Sequence, residues 1–316
     1  MGRIIEYAGP YAALLHDYVA FRQDLGFVMP DSSQRILSAI ADCLYEMPLI
    51  PEVVDLERAQ VAAAQRGAES PRTRQSRYVV LRQFCIYLNR IGIKAYVPPA
   101  GAVKGRSTFV PRIVDEREMA RIIATADEGG PRWPAMALRI LWCTGLRIGE
   151  VSALRIGDYD QRRQSLFVAH AKYDRSRVIP IHQTLAGYLE EYIDARIVDR
   201  RPQAWLFPGK EPGSHRSKKA MGNGLRAIYS RAGVLTDADK PIRTHDLRHS
   251  FAVKALSNMA ERGEDIYVAL PLLSAYMGHA NIFDTEYYLR LLPSEHQRII
   301  DMESGVSETI FGGVRQ

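Results

Sequence analysis

Thr244-His245-Asp246-Leu247-Arg248-His249 opens a helical apolar pattern, and its His245 and Arg248 stand three residues apart, so they share one helix face. Upstream, Thr144-Gly145-Leu146-Arg147-Ile148-Gly149-Glu150 interrupts another helical pattern at a Thr-Gly pair and leaves Arg147 in the break. Between the two, the apolar period changes to two. Leu166 and Val168 precede a polar turn at Tyr173-Asp174-Arg175-Ser176, and Val178, Ile179 and Ile181 follow it, which reads as a β-hairpin with Lys172 beside the turn. Downstream come Gly278-His279 and then Tyr287-Tyr288. Helical patterns surround these segments, over 115–126, 133–142, from about Ile148, and over 185–197, 218–232, 245–260, 265–277 and 281–291. The expected fold is mainly α with a small antiparallel β-sheet.

The first hundred residues read as a separate set of helices. Leu14, Leu15, Tyr18, Val19 and Phe21 form one stripe, and Ile36, Ile40, Cys43 and Leu44 a second. Val53, Val54 and Leu56 open a third, ending near Gly67. A fourth begins with Ser70 as cap and Pro71 at the first helical position, buries Tyr78, Leu81, Cys85 and Leu88, and closes at Gly92. The stretch Val97 to Ser107 carries two prolines and two glycines and reads as a linker. The division is therefore a helical domain over 1–97, a linker over 98–111, and an α+β domain over 112–316 that ends in a tail.

At 316 residues the chain suits two domains. Its 47% hydrophobic and 25% charged residues exclude a mainly disordered, collagen-like or coiled-coil protein. The net charge is +6, carried by 34 arginines and only 8 lysines, and guanidinium forks match phosphate oxygens two at a time. From Arg66 to Arg106 there are nine basic residues and one acid, Glu69. A solvated helix face usually mixes signs, so phosphate contact is the better reading for Arg72, Arg74, Arg77, Arg82, Lys104 and Arg106. Cys43, Cys85 and Cys143 are odd in number, widely spaced and set among apolar residues. They read as reduced core thiols in a soluble, cytoplasmic protein. Neither the N-terminus nor the longest apolar stretch, 266–277, resembles a signal peptide or a membrane span.

The four segments gather two Arg, one Lys, two or three His and a Tyr without an acidic cluster to hold Mg²⁺. Cationic donors without a carboxylate cage point to phosphoryl transfer in which Arg and His stabilise the developing charge, with no metal or other cofactor expected. A tyrosine can then act as nucleophile and retain the phosphoryl group as an ester.

In order and spacing these segments resemble the tyrosine recombinase (phage integrase) family over roughly residues 112 to 295. The preceding hundred residues resemble that family's helical core-binding domain by position and helix count. The resemblance implies that Arg147 and Arg248 hold the scissile phosphate, that His245 contacts the same oxygens or moves a proton, and that His279 donates to a phosphate oxygen. It makes Lys172 the mobile general acid for the leaving 5′ oxygen and Glu150 the acid that orients neighbouring donors. The usual interval from His279 selects Tyr288 over Tyr287 as nucleophile. Consecutive helical residues point about 100° apart, so only one of the pair faces the phosphate.

The implied reaction is cutting and rejoining of double-stranded DNA at specific recombination sites through a 3′-phosphotyrosyl bond. A homotetramer would exchange strands between two sites, as a mobile-element or Xer-like integrase. The alternatives are a type IB topoisomerase-like nicking-closing enzyme and a non-catalytic DNA-binding protein. Locally, Glu150 also fits a simple first-turn acid, Lys172 an exposed hairpin lysine, and His245 with His249 an incomplete zinc pair. The tail from Glu303, with Ile310 and Phe311, is a candidate for docking on a neighbouring protomer.

Overall fold

A computed structural model describes residues 5–7, 9, 11–45, 54–64, 66–105, 111–128, 133–169, 176–279 and 281–291. Lys172, Arg106 and the tail from Glu303 lie outside them. By internal contacts the chain separates into two compact units, 1–109 and 110–316.

The first unit holds four helices, α1 (Ala12–Asp24), α2 (Asp31–Tyr45), α3 (Leu56–Ala63) and α4 (Pro71–Arg90). The α4 start is set locally: the Ser70 hydroxyl accepts from the Thr73 N–H at 3.1 Å, and Pro71 occupies the first turn, where a missing N–H costs nothing. Leu15, Leu37, Ile40, Leu44, Leu81, Phe84, Cys85 and Leu88 are buried together, with Tyr18 set edge-on to Phe84 at 5.5 Å. The proline-glycine stretch does not hang free where it is described. The Tyr78 hydroxyl donates to the Pro99 carbonyl at 2.8 Å, and Val103 packs on the same core.

The second unit carries α5 (Glu116–Asp127), α6 (Trp133–Thr144), α7 (Ile148–Ser152), α8 (Gln183–Arg196), α9 (Lys218–Arg231), α10 (Thr244–Glu261), α11 (Ile266–Met277) and α12 (Phe283–Glu286). Its sheet is antiparallel, in the order β1 (Tyr159–Asp160), β2 (Ser165–Val168), β3 (Arg177–Pro180). The hairpin register pairs Leu166 with Ile179 and Val168 with Arg177. Strand β1 has no apolar alternation of its own and is invisible in the sequence pattern. Leu166, Val168 and Ile179 reach a core shared with Leu138, Leu141, Val151, Tyr229 and Leu247. A smaller cluster joins α10, α11 and the C-terminal turn through Leu256, Leu273, Met277 and Tyr288.

Two expectations change. The helix expected over 281–291 divides into α12 and a 3₁₀ segment over Tyr287–Leu291. Of the three thiols only Cys85 is buried; Cys43 is half-buried and Cys143 is exposed on the outer side of α6. Among the described residues no helix is long and apolar enough to cross a membrane.

Candidate active site

Helix α6 stops where the Thr144 hydroxyl donates to the Ile140 carbonyl at 2.6 Å and Gly145 takes a left-handed conformation, φ +61°. A Cβ at Gly145 would collide with the Phe251 ring, so this sharp exit requires glycine. The exit carries Arg147 to the head of α7, where its backbone N–H donates to Glu150 Oε2 at 2.8 Å and its Nη1 to Glu150 Oε1 at 3.0 Å.

Three arginines meet the C-terminal carbonyls of α11. Arg177 donates through Nε to Tyr276 at 2.8 Å, Arg248 through Nη2 to Met277 at 2.8 Å, and Arg147 through Nη2 to Gly278 at 3.1 Å. A helix C-terminus carries roughly half a negative charge and unsatisfied carbonyls, which favours cations there. Gly278 sits at φ +67°, and a Cβ on it would stand 2.8 Å from Arg177 Nη1. Arg248 is 2% exposed and also donates to the Gly145 carbonyl at 2.7 Å. Burial, with Arg147 nearby, pulls it down to about 10, so it stays charged at neutral pH.

Glu150 lies between Arg147 and Arg177, which donates to both its oxygens at 3.2 and 3.0 Å. Burial alone would raise its carboxyl. The hydrogen bonds and charges of Arg177 and Arg147 outweigh that and hold it below the usual range. Arg177 escaped the motif reading, yet a signal was present: with Ile179 and Ile181 inward, period two puts Arg177 on the same inward face.

On the other side stand three histidines and a tyrosine. His245 and His249 pack edge to face at 4.6 Å between ring centroids. His249 Nδ1 is 3.1 Å from the Tyr288 hydroxyl. His279 binds the fully buried Thr285 hydroxyl through Nδ1 at 2.7 Å, and its ring stacks 6.2 Å from that of Tyr288. Tyr288 is 3% exposed, whereas Tyr287 is half-buried. At three residues per turn in the 3₁₀ segment, the two phenols point about 120° apart. Among the described residues no third His, Cys, Asp or Glu joins His245 and His249 in a ligand group.

Burial and the surrounding positive charges lower all three histidines, His245 and His249 to about 4 and His279 to about 3. Their folded values lie below an unfolded value of about 6.5, so between those limits the unfolded chain binds more protons. The stability they contribute is complete above about pH 6.5 and is lost as pH falls toward about 4. Glu150 acts in the same direction at lower pH, since its folded value is also depressed. We expect the melting temperature to drop steadily over that interval. A flat profile would show that the imidazoles are not held neutral.

Other basic residues lie near this cluster. Lys218, Lys219, Asn223 and Arg226 of α9 line one recess with Ile148, Arg243 and Thr244. Two lysines open α9 with no acid in its first turn, against the helix dipole. The sequence reading did not select them, although that misplaced pair was its visible sign.

In the first unit, the structure corrects one assignment. Arg77 is buried, with Nη2 on Glu69 Oε2 at 2.7 Å and on the Ala64 carbonyl at 2.6 Å, and Nη1 on the Ala62 carbonyl. It caps the end of α3 with Nε, Nη1 and Nη2 all engaged by Glu69, Ala62 and Ala64, so its guanidinium is spent on the fold and not on a phosphate. Arg74, half-buried, donates to the Ala63 carbonyl at 3.0 Å in the same cap. Arg72 and Lys104 are exposed, and Arg82 is half-buried. We expect Arg77→Ala to cost about 2 kcal/mol in urea melts, because it removes the buried guanidinium shared by the half-buried Glu69 carboxylate and the Ala62 and Ala64 carbonyls. Arg72→Ala should change stability by less than about 0.5 kcal/mol.

Comparison with known proteins places this cluster in context. The sequence profile of the phage integrase family matches residues 112–295. A tyrosine recombinase XerC from Chromohalobacter salexigens is 31% identical over 83% of this chain and 85% of its own. Two solved structures share the fold at low identity. One is the XerH site-specific recombinase bound to a palindromic difH substrate (TM-score 0.68, 17% identical, 94% of this chain and 86% of that one). The other is the Tn1549 transposon integrase in complex with transposon right-end DNA (TM-score 0.67, 18% identical, 87% of this chain and 94% of that one).

Proposed function

Because this chain belongs to the phage integrase family, as a tyrosine-type site-specific recombinase, we propose that it cuts and rejoins double-stranded DNA through a 3′-phosphotyrosyl bond at Tyr288. The observation that supports this most is the set of Arg147, Arg177 and Arg248 on the α11 carbonyls, with Arg248 and Arg147 close enough for their charges to act on the Tyr288 phenol. Arg147 and Arg248 take the non-bridging oxygens and stabilise the charge that grows as phosphorus becomes five-coordinate. Glu150 and Arg177 act one step back by fixing Arg147. His245 and His279 complete the set of donors, with His279 oriented by Thr285. Lys172 protonates the departing 5′ oxygen, a task for which an arginine is too weak an acid.

The bond energy is kept in the phosphotyrosine, so rejoining needs no nucleotide and no resident cofactor. A 5′-hydroxyl from a second duplex reverses the step and exchanges the strands. The exchange is carried out by a homotetramer on two specific sites, in the cytoplasm, for a mobile element or an Xer-like role. Arg72, Arg74, Arg82, Lys104 and Arg106 of the first unit hold flanking phosphates. The recess at the head of α9 serves the second unit in the same way.

The test is a suicide duplex carrying a sequence that the protein recovers from a random pool, nicked beside the cleavage position. In chelator, wild-type protein should become covalently attached to the 3′ end. Absence of any attached strand would end this reading. Relaxation of supercoiled plasmids that lack the recovered sequence would favour the topoisomerase-like alternative.

A further inference from the structure

The motif reading used His245, Arg248 and His279, and left His249 without a task. Yet His249 Nδ1 is the atom found at hydrogen-bond distance, 3.1 Å, from the Tyr288 hydroxyl. The two rings lie 5.6 Å apart, tilted by 56°. His249 follows Arg248 on α10 and is half-buried, so the helix that holds the phosphate-binding guanidinium also presents this imidazole to the phenol.

A phenol with an ordinary value near 10 attacks phosphorus at neutral pH only if its proton leaves as the bond forms. Burial raises Tyr288 further, against the lowering pull of Arg248 and Arg147. The arginines around it are protonated at neutral pH and accept nothing there. The Nδ1 of His279 is already engaged by Thr285. His249 faces Tyr288 from the C-terminal 3₁₀ segment and, from its own helix, Arg243, His245, Asp246 and Arg248. Burial, Arg243 and Arg248 keep it neutral, and Asp246 opposes them. A neutral ring carrying its proton on Nε2 has the Nδ1 lone pair aimed at the phenol. A bound phosphate would cancel part of the arginine field, raising the basicity of His249 as the nucleophile arrives.

We infer that His249 is a catalytic residue of this site, the group that takes the Tyr288 proton during cleavage and returns it during rejoining. The inference rests on the phosphotyrosyl reading above. The bond from Tyr288 Oη to phosphorus forms as the bond from phosphorus to O5′ breaks with its electron pair. The phenol proton moves to His249 Nδ1, and O5′ takes a proton from the general acid. Rejoining runs the same transfers backwards.

The experiment measures single-turnover attachment to the nicked duplex described above, from about pH 6 to about pH 10, which spans the ordinary imidazole and phenol values. It compares wild type, His249→Ala and His249→Asn, each with tyrosine or a fluorinated, more acidic tyrosine at position 288. Both variants should bind the duplex as wild type does. Attachment should slow by about 10²–10⁴-fold, the usual range for one proton-transfer group. Their rates should climb with pH where the wild-type rate is level, and the acidic phenol should recover much of the loss. His249→Asn keeps a hydrogen-bonding side chain but no base, so it retains the deficit even if the Ala variant folds poorly. Attachment by both variants at the wild-type rate would overturn the inference. So would a deficit of the same size with either phenol, which would mark His249 as a positioning residue only. If wild type itself attaches no strand, the phosphotyrosyl reading fails first and this inference with it.

Discussion

Tyr288→Phe should form no covalent adduct with the nicked duplex, while Tyr287→Phe should attach at a rate close to wild type. The phenylalanine ring fills the same space among Leu256, Leu273 and Met277 but presents no oxygen to phosphorus. The cost to folding should be small, about 1 kcal/mol, from the lost hydrogen bond to His249. Binding of intact duplex should survive, which separates lost chemistry from lost structure. The reverse pattern would move the nucleophile to Tyr287, whose ring sits 6.1 Å from that of Tyr288 in an edge-on contact.

Arg248→Lys should be nearly as damaging to the reaction as Arg248→Ala. A guanidinium can donate to the Gly145 and Met277 carbonyls at once and still direct an N–H toward a ligand; one ammonium on a flexible stem cannot reproduce that fork. Loss of one such fixed donor slows a phosphoryl or acyl transfer by about 10²–10³-fold. Arg248→Ala should also lower unfolding stability by about 3 kcal/mol, since two buried carbonyls lose their donor. Adduct formation and urea melts on the same preparations would check both parts. A lysine variant with near-normal attachment would show that charge alone, rather than the fork, is what the site requires.

Much of the molecule follows from local signals. The start of α4 was readable because Ser70 and Pro71 satisfy or remove the orphan donors of the first turn. The end of α6 was readable because Gly145 tolerates the left-handed conformation at a helix end. The hairpin was readable because Leu166, Val168 and Ile179 alternate at period two. Strand β1 and the 3₁₀ end after α12 were not, since two residues or five carry too short a pattern.

The site divides along the same line. The order of the short segments, through its resemblance to the tyrosine recombinase family, pointed to Arg147, His245, Arg248, His279 and Tyr288 as one group, because each belongs to a segment with its own local signature. What they are held by was decided only in three dimensions. Arg77 and Arg72 look alike in a basic run, but the first is closed into the α3 cap with Glu69 and the second faces solvent. Arg177, Thr285 and His249 acquire meaning from partners 27, 6 and 39 positions away, namely Glu150, His279 and Tyr288. The backbone carbonyls of Tyr276, Met277 and Gly278 carry no sequence identity at all. Their alignment at the end of one helix, where its dipole is negative, is what draws three guanidinium groups to a single point.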